Sequence, residues 1–174
     1  KIILLDISSE MLKENKNKKI VRVEQDARKM TSIPDSSIDI IIIAFTLHHI
    51  NGKNFKETIL SLKRIFSEAN KKLKSDGELF IIEPIYNNFF YFLEVVLFKI
   101  IYLFLKIFKR DMVFFYNQNT IKKNISLVFP STKLKIINLK MKGWLDPFLG
   151  TFPGIIKIPT FLYPTSFKVF HLKK

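Results

Sequence analysis

The stretch that decides the fold of this chain is its opening, Lys1-Ile-Ile-Leu-Leu-Asp6-Ile-Ser-Ser-Glu-Met11-Leu12. An unbroken apolar run that ends in an acid is typical of a strand buried in a parallel sheet. Ser8 or Ser9 then begins a helix, because a serine oxygen accepts from free backbone N–H groups and Glu10 complements them. An acid at the carboxyl end of a parallel strand is well placed to bind a ribose diol. The opening therefore predicts a nucleotide-type cofactor beside Asp6.

Residues 1–84 alternate short apolar runs with helical patterns, which is typical of βα units in an α/β fold. The sequence predicts four strands, at Ile2–Leu5, Ile20–Glu24, Ile38–Ala44 and Leu79–Glu83. It also predicts a helix at Ser9–Asn15 and an amphipathic helix from Phe55 to Leu73. Ile38–Ala44 is so apolar that both of its faces are expected to be covered. Gly77 suits the left-handed position past the end of the long helix, and Pro84 is expected to end the last strand.

The segment Phe89–Phe108 is strongly apolar, with only Glu94, Lys99 and Lys106 charged. Its length would span a bilayer. Two later predicted strands, Lys133–Leu139 and Phe167–Leu172, should nevertheless rejoin the same sheet, which one full crossing would prevent. Three interpretations stay open: a helix on a membrane surface, a cap over an apolar substrate pocket, and an ordinary buried helix.

These patterns divide the chain into three parts. They are the βα units of residues 1–84, a hydrophobic and basic segment at 85–132 that covers the substrate, and the last two strands of the same sheet at 133–174. The third part includes a loop, Trp144–Tyr163, rich in proline and aromatic residues.

The net charge of +14 is concentrated in the second half of the chain. Residues 1–88 carry 15 Lys and Arg against 12 Asp and Glu, whereas residues 89–174 carry 14 against 3. This imbalance favours an anionic or lipidic partner, with a solvated Lys-rich surface as the alternative. Cysteine is absent, which excludes disulfides and thiolate metal sites. The expected location is the cytoplasm, with membrane association as a further possibility.

Five short motifs follow one another in order: Leu5-Asp6-Ile7-Ser8, Glu24-Gln25-Asp26-Ala27, Ser37-Ile38-Asp39-Ile40-Ile41, Phe45-Thr46-Leu47-His48-His49-Ile50 and Leu73-Lys74-Ser75-Asp76-Gly77-Glu78-Leu79. Together they resemble the class I S-adenosylmethionine-dependent methyltransferases, in particular the group that includes quinone-biosynthesis methyltransferases. The resemblance implies a Rossmann-like α/β sheet with helices on both faces, and methyl transfer from S-adenosylmethionine. Residues 85–174 resemble the family only loosely.

The resemblance also implies a cofactor site at the ends of the first strands. Asp6 would hold the ribose hydroxyls, while Ile7 and Met11 would pack against the adenine. Asp26 would accept from the adenine amino group. The alternative is that both aspartates only cap turns or helices.

Three further backbone and side-chain positions complete the implied site. The Ala27 backbone N–H would donate to the adenine ring, and Ala44 and Phe45 would line the methionine side of the cofactor. His48 and His49 follow directly and are the candidates for a general base, which is needed only for an acceptor such as a hydroxyl. The alternative is that one of the histidines has a structural role and orders the loop. No metal site is predicted.

Two other titratable residues lie in or near predicted strands. Glu83 ends the fourth predicted strand and could point into the pocket, whereas His171 is expected to be incidental.

The family's glycine-rich first turn has no counterpart, since the glycines at 52 and 77 lie elsewhere. In the family the strand before that turn is central, between the strands seen here as Ile2–Leu5 and Ile38–Ala44. The resemblance therefore implies an N-terminally truncated domain with two unpaired apolar strand edges. Such a chain is expected to bind the cofactor poorly and to be inactive by itself.

The leading prediction is methyl transfer to a small or lipidic acceptor, with peripheral membrane contact through residues 89–108. A nucleic-acid methyltransferase is the first alternative, supported by the basic second half. Long aliphatic runs between its basic residues argue against that alternative. The second alternative is a non-catalytic, membrane-associated binding protein. Oligomeric state and acceptor atom are not predicted.

Overall fold

The computed structural model describes residues 1–139 and 165–174. Its elements are β1 (Ile2–Asp6), α1 (Ser9–Glu14), β2 (Ile20–Glu24), β3 (Ile38–Ala44), a 3-10 turn (Leu47–His49), α2 (Phe55–Lys72), β4 (Leu73–Tyr86), α3 (Asn88–Ile107), α4 (Gln118–Val128), β5 (Leu134–Leu139) and β6 (Thr165–Lys173). The predicted α/β class is confirmed. The loop predicted at Trp144–Tyr163 lies outside the described residues.

The main sheet has the strand order β3-β4-β6-β5. β3 is parallel to β4, and β6 lies antiparallel between β4 and β5. The two strands predicted near the end of the chain therefore do rejoin the same sheet. Because β3 and β4 are parallel, their carboxyl ends meet at one edge, and the loops that leave them lie side by side.

The first two strands form a separate parallel sheet, with Ile2 opposite Ile20 and Asp6 opposite Glu24. In the described part of the chain no strand lies between β1 and β3, so the predicted unpaired edges are present. A cleft of about 820 Å³ separates them, lined mainly by the apolar side chains of the two strands.

This cleft overturns the prediction that both faces of Ile38–Ala44 are covered. Ile43 lies in the core and Ile41 packs against it, whereas Ile42 is 64% exposed. Side chains alternate between the two faces of a strand. Ile41 and Ile43 therefore face α2, and Ile42 lies on the opposite face, which borders the open cleft. An apolar strand is more stable when both of its faces are buried, but its composition does not show whether another element covers each face.

The core lies between α2 and the main sheet. The predicted amphipathic pattern of α2 is confirmed, since its repeating apolar residues Leu62, Ile65, Phe66 and Ala69 are all buried. Asn54 caps the helix by accepting from the Glu57 backbone N–H at 2.9 Å, and Glu57 accepts in return from the Lys53 N–H at 3.0 Å. This reciprocal capping satisfies backbone donors at the helix start.

The predicted role of Gly77 is wrong. β4 begins at Leu73, directly after α2, so Gly77 lies inside a strand near a register shift opposite β3. A Cβ atom there would lie 2.9 Å from the Cδ2 of Leu73 and 3.2 Å from the carbonyl oxygen of Asp39. The glycine is explained by this close approach of neighbouring chains rather than by a left-handed turn.

Pro84 does not end its strand, which continues to Tyr86. The carbonyl of Ile82 accepts from the Phe45 N–H at 2.9 Å, and the Tyr86 N–H donates to Tyr116 at 3.0 Å. Alternation along the strand places the Pro84 nitrogen on this same side, beyond the last residue of β3. The missing N–H therefore costs no sheet hydrogen bond.

The apolar segment after β4 is helix α3, capped by Asn87, whose side chain accepts from the Phe90 N–H. Phe98 is its one fully buried side chain, so the interpretation as an ordinary buried helix is wrong. None of the helices within residues 1–139 and 165–174 combines the length and apolarity needed to cross a membrane.

Candidate functional site

Asp6 ends β1 and turns the chain into α1. Its Oδ1 accepts from the Ser8 N–H at 2.8 Å, and the Ser8 hydroxyl in turn accepts from the Met11 N–H at 3.3 Å. Within the described residues Oδ2 accepts no hydrogen bond and stays available to a ligand. Ile7 and Met11 are 68% and 55% exposed beside it. Asp6 therefore makes the turn, and the same corner offers a carboxylate oxygen and an apolar surface.

Asp26 follows β2 and is held by an arginine. Both of its carboxylate oxygens accept from the Arg28 side chain, at distances from 2.6 to 3.0 Å. The hydrogen bonds from Arg28 lower the pKa of Asp26, against an opposing effect of burial. An adenine amino group would share this carboxylate with Arg28. The predicted adenine contact stays a prediction. The alternative that Asp26 caps a turn has direct support, because the Arg28 backbone N–H donates to Asp26 Oδ1 at 2.8 Å.

Ala27 lies at the edge of the cleft between β1 and β3, partly buried against the core. The Gln25 N–H donates to the Asp6 carbonyl at 2.9 Å, which holds the ends of β1 and β2 together. Asp6, Asp26 and Ala27 are thus brought to one edge of the small sheet.

Ala44 and Phe45 leave β3 on the far side of the cleft, and both are exposed. Phe45 has φ of 51°, the left-handed region that a bulky residue rarely adopts. Such strain costs on the order of 1–3 kcal/mol and is common at functional loops. The Phe45 ring contacts Phe167 edge-on at 6.0 Å between centroids. The described structure separates these two residues from Asp6 by the cleft.

His48 and Glu83 form a buried pair at the carboxyl ends of β3 and β4. Glu83 Oε2 lies 2.6 Å from His48 Nδ1, and Oε1 accepts from the backbone N–H groups of Thr46 and Leu47 at 2.6 and 2.7 Å. Glu83 is 1% exposed and both of its carboxylate oxygens hold the loop, so it is not free to point into a pocket as the sequence suggested. A carboxylate on Nδ1 orients the imidazole and leaves Nε2 for other contacts.

His49 is the exposed member of the histidine pair, with its ring 4.2 Å from that of His48. Partial burial and, next, the neighbouring His48 lower the pKa of His49 below its usual 6.5. It is therefore neutral near neutral pH and able to accept a proton. His49 also borders a cavity of about 630 Å³.

That cavity joins several elements that the sequence did not connect. Arg28, Lys53 and Arg64 contribute positive charge, and Glu57 and Asp111 negative charge. The apolar part of its wall consists of Leu60, Tyr102 and Met112. Sequence reasoning missed these residues because they come from four separate segments. The one sequence signal for this cavity was Arg28, because an arginine two positions after Asp26 can form an ion pair with it.

His171 is part of the sheet, in β6. Its Nε2 lies 2.8 Å from Glu78 Oε2, and its ring stacks on Phe80 at 4.2 Å. Nowhere in the described ranges do three or more potential metal ligands cluster.

Comparison with known proteins identifies the domain. Residues 1–81 match the family model of the methyltransferase domain. The matched part is just under half of the chain. The match gives methyl transfer as the reaction and S-adenosylmethionine as the cofactor of this methyltransferase.

Solved structures show the same fold over nearly the whole chain. A SAM-dependent methyltransferase from Archaeoglobus fulgidus is 17% identical, with a TM-score of 0.61 over 99% of this chain and 75% of that one. One from Methanosarcina mazei is 14% identical, with a TM-score of 0.56 and coverage of 99% and 81%.

A third structure, described as a possible histamine N-methyltransferase from Thermotoga maritima, is 14% identical, with a TM-score of 0.58 and coverage of 98% and 72%. At these identities the likeness shows the fold alone. No curated protein sequence matches the chain.

The residues of this methyltransferase fit the nucleoside end of the cofactor. Asp6 offers a carboxylate oxygen for the ribose, and exposed Ile7 and Met11 offer the flat apolar surface that adenine needs. At the other end, no glycine is among the residues that line the cleft within the described structure. The individual roles of these residues stay predictions from the resemblance.

Proposed function

We propose that this methyltransferase acts on a small amphiphilic or lipidic acceptor held in the cavity beside His49. The observation that carries the proposal is the lining of this cavity, which combines apolar Tyr102 and Met112 with the cations Arg28 and Arg64. A volume of about 630 Å³ is typical of small-molecule sites. An acceptor with an apolar body and an anionic or polar group would match both parts.

The position of the cavity supports its use as the acceptor site. It is bounded by Arg28, which pairs with Asp26 at the end of β2, and by His49, which follows the end of β3. Both strand ends carry residues assigned to the cofactor by the resemblance. An acceptor in the cavity would thus lie next to the cofactor.

When bound, S-adenosylmethionine supplies a methyl group on a sulfonium, which an aligned acceptor takes by in-line displacement. The chain contributes mainly alignment, which can provide much of the rate. Where the acceptor atom is a hydroxyl oxygen, His49 accepts its proton as the new carbon–oxygen bond forms. His48 is then a positioning residue, since Glu83 holds its Nδ1 and its ring packs against His49.

The chemical class of the acceptor can be tested with the full-length protein, tritium-labelled S-adenosylmethionine and a cell extract as the source of acceptors. Label that partitions into organic solvent supports the proposal. Label confined to a nuclease-sensitive precipitate would replace it with nucleic-acid methylation.

Two neighbouring cations on α2 provide a matched pair of variants. Arg64→Ala removes a charge that lines the cavity and should raise the KM for the extracted lipid acceptor about tenfold, the usual effect of one charge-assisted hydrogen bond. Lys63→Ala, one position away and outside the lining, should leave KM unchanged. Equal effects of the two variants would place the acceptor elsewhere.

A further inference from the structure

Helix α3 has two faces of opposite character. On the inner face Phe98 is buried, with ring centroids 6.4 Å from Phe55 and 5.6 Å from Phe114, and Val95 and Leu105 pack against the same core. These contacts determine how the helix is rotated about its axis. The residues of the outer face are therefore held at the surface.

The outer face of α3 is an exposed apolar stripe. Ile100 and Ile107 are 66% and 76% exposed, values unusual for large aliphatic side chains. The stripe recurs at helical spacings of three and four and consists of Phe89, Phe92, Val96, Ile100, Leu103 and Ile107. It runs along the whole helix, and at 1.5 Å per residue twenty residues extend about 30 Å. A continuous apolar surface of this length marks an interaction site rather than ordinary solvent exposure.

Positive charge lies along one edge of the stripe. Lys99 and Lys106 are exposed and seven residues apart, which places them on the same side of the helix. The only acid of the helix, Glu94, faces inward, where Oε2 accepts from the Phe115 N–H at 3.1 Å. The exposed surface of α3 thus combines apolar and basic groups without an acidic one.

We propose that the outer face of α3 docks on the surface of an anionic lipid bilayer, with the helix axis parallel to the membrane plane. The apolar stripe would enter the boundary between headgroups and acyl chains, and the lysines would reach back to the phosphates. Anionic lipids attract such cations from the cytoplasmic leaflet of a membrane.

The charges favour a membrane over a second copy of the chain. In a two-fold contact the patch meets a copy of itself, so Lys99 and Lys106 would face a surface that offers no acidic residue to pair with them. Lipid phosphates instead complement these cations. The inner face, held in the core through Phe98, also keeps the helix from inserting across the bilayer.

Docking through this face would bring the catalytic domain and its acceptor to the same surface. Tyr102, on the inner side of α3, lines the cavity beside His49. This consequence rests on the proposed function, but the docking itself does not. Vesicle binding needs neither cofactor nor acceptor, so its failure would leave the proposed reaction untouched.

The experiment is flotation of the full-length protein with vesicles of phosphatidylcholine, alone or mixed with phosphatidylglycerol, at low and high salt. We expect binding to the mixed vesicles that weakens with salt, and little binding to the neutral ones. Absence of binding to mixed vesicles at low salt would overturn the proposal. So would equal binding to both kinds of vesicle.

Matched variants test the two components of the face. Ile100→Glu should reduce vesicle binding at least about tenfold. Leu127→Glu, at a comparably exposed apolar position on α4, should not reduce it. The double variant Lys99→Glu/Lys106→Glu should abolish the preference for anionic lipid, while Lys122→Glu/Lys123→Glu on α4 should keep it.

Circular dichroism and thermal unfolding establish that each variant is folded before binding is compared. If Ile100→Glu and Leu127→Glu weakened binding equally, α3 would not be the docking surface. Sedimentation without vesicles tests whether a second copy of the chain covers the stripe instead. A dimer that Ile100→Glu dissociates would show that a second copy covers the stripe, and the membrane proposal would fail.

Discussion

At the scale of single residues, some polar groups of the site hold the local structure, and others keep an oxygen that is free to accept a hydrogen bond from a ligand. Asp6 shows both, since one carboxylate oxygen accepts from the Ser8 N–H and the other is open. Asp26 is more committed, because Arg28 contacts both of its oxygens. Residue type and position at a strand end indicated both aspartates. How much of each carboxylate is left for a ligand depends on neighbours that only folding supplies.

Asp6→Asn separates the two tasks of that side chain. The asparagine oxygen can still accept from the Ser8 N–H, so the turn is expected to persist. Loss of the charge should weaken S-adenosylmethionine binding by the full-length protein about tenfold or more, since hydrogen bonds to charged groups contribute roughly 1.5–3 kcal/mol. Calorimetry measures the change. Exposed Asp76→Asn is the control, and equal affinities for the two variants would reduce Asp6 to a turn former.

The two histidine–glutamate pairs predict different effects on stability. Glu83 is buried and accepts three hydrogen bonds, so Glu83→Gln leaves its neighbours facing an amide and should cost about 1–3 kcal/mol. The Glu78–His171 pair is partly exposed, so Glu78→Gln should cost less than about 1 kcal/mol. Urea unfolding of both variants measures the difference. A larger loss for Glu78→Gln would contradict the proposed role of the buried pair in holding the loop.

At the scale of elements, boundaries depended on contacts between segments. The periodicity of α2 predicted its length to within one residue, because the pattern comes from one face packed on the sheet. α1 was also predicted to within a residue, and of the two candidate caps, Ser8 and Ser9, it is Ser8 that caps the helix. β4 was predicted too short at both ends, since Gly77 and Pro84 are usual strand breakers. Gly77 is tolerated because the Asp39 carbonyl leaves no room for a side chain. Pro84 is tolerated because its nitrogen lies beyond the end of β3.

Glu94 makes the stability of α3 depend on pH. Burial raises its pKa from 4.5 to about 8, while the hydrogen bond from the Phe115 N–H opposes the change. A carboxyl whose pKa is higher in the folded state contributes stability below pH 4.5, and this contribution is lost as the pH rises to about 8. Over that range the free energy of unfolding should fall by at most about 5 kcal/mol relative to Glu94→Gln.

Urea unfolding across this pH range compares the wild-type chain with Glu94→Gln. The glutamine oxygen can still accept from Phe115, so the variant changes ionisation and little else. Exposed Glu14→Gln controls for a general effect of removing a carboxylate. Parallel pH profiles for the wild type and Glu94→Gln would show that Glu94 ionises normally in the folded protein.

At the scale of the whole molecule, the cleft between β1 and β3 divides the described structure. β1 and β2 form an isolated two-stranded sheet, a unit that is marginally stable in water by itself. β4 is paired on both sides over most of its length and covered by α2. The two parts of the fold therefore differ in their local stability.

Hydrogen exchange of the 174-residue chain should reveal this difference. Amides of residues 20–24 are expected to exchange at least about tenfold faster than those of residues 79–83, because opening the small sheet breaks few packed contacts. Mass spectrometry of overlapping peptides measures both rates. Equal protection of the two segments would mean that the small sheet is held to the main one more firmly than the cleft suggests.

The sequence by itself determined the α/β class, most of the strands and helices though not α4, the family resemblance and the residues at the strand ends. These follow from local physics, because apolar periodicity, capping residues and short motifs act over neighbouring positions. Only the tertiary structure decided the cleft beside β3, the burial of Glu83 against His48, and the assembly of the cavity from Arg28, His49, Arg64 and Tyr102. It also decided which face of α3 is exposed. These features depend on contacts between segments far apart in the chain, which composition and spacing do not specify.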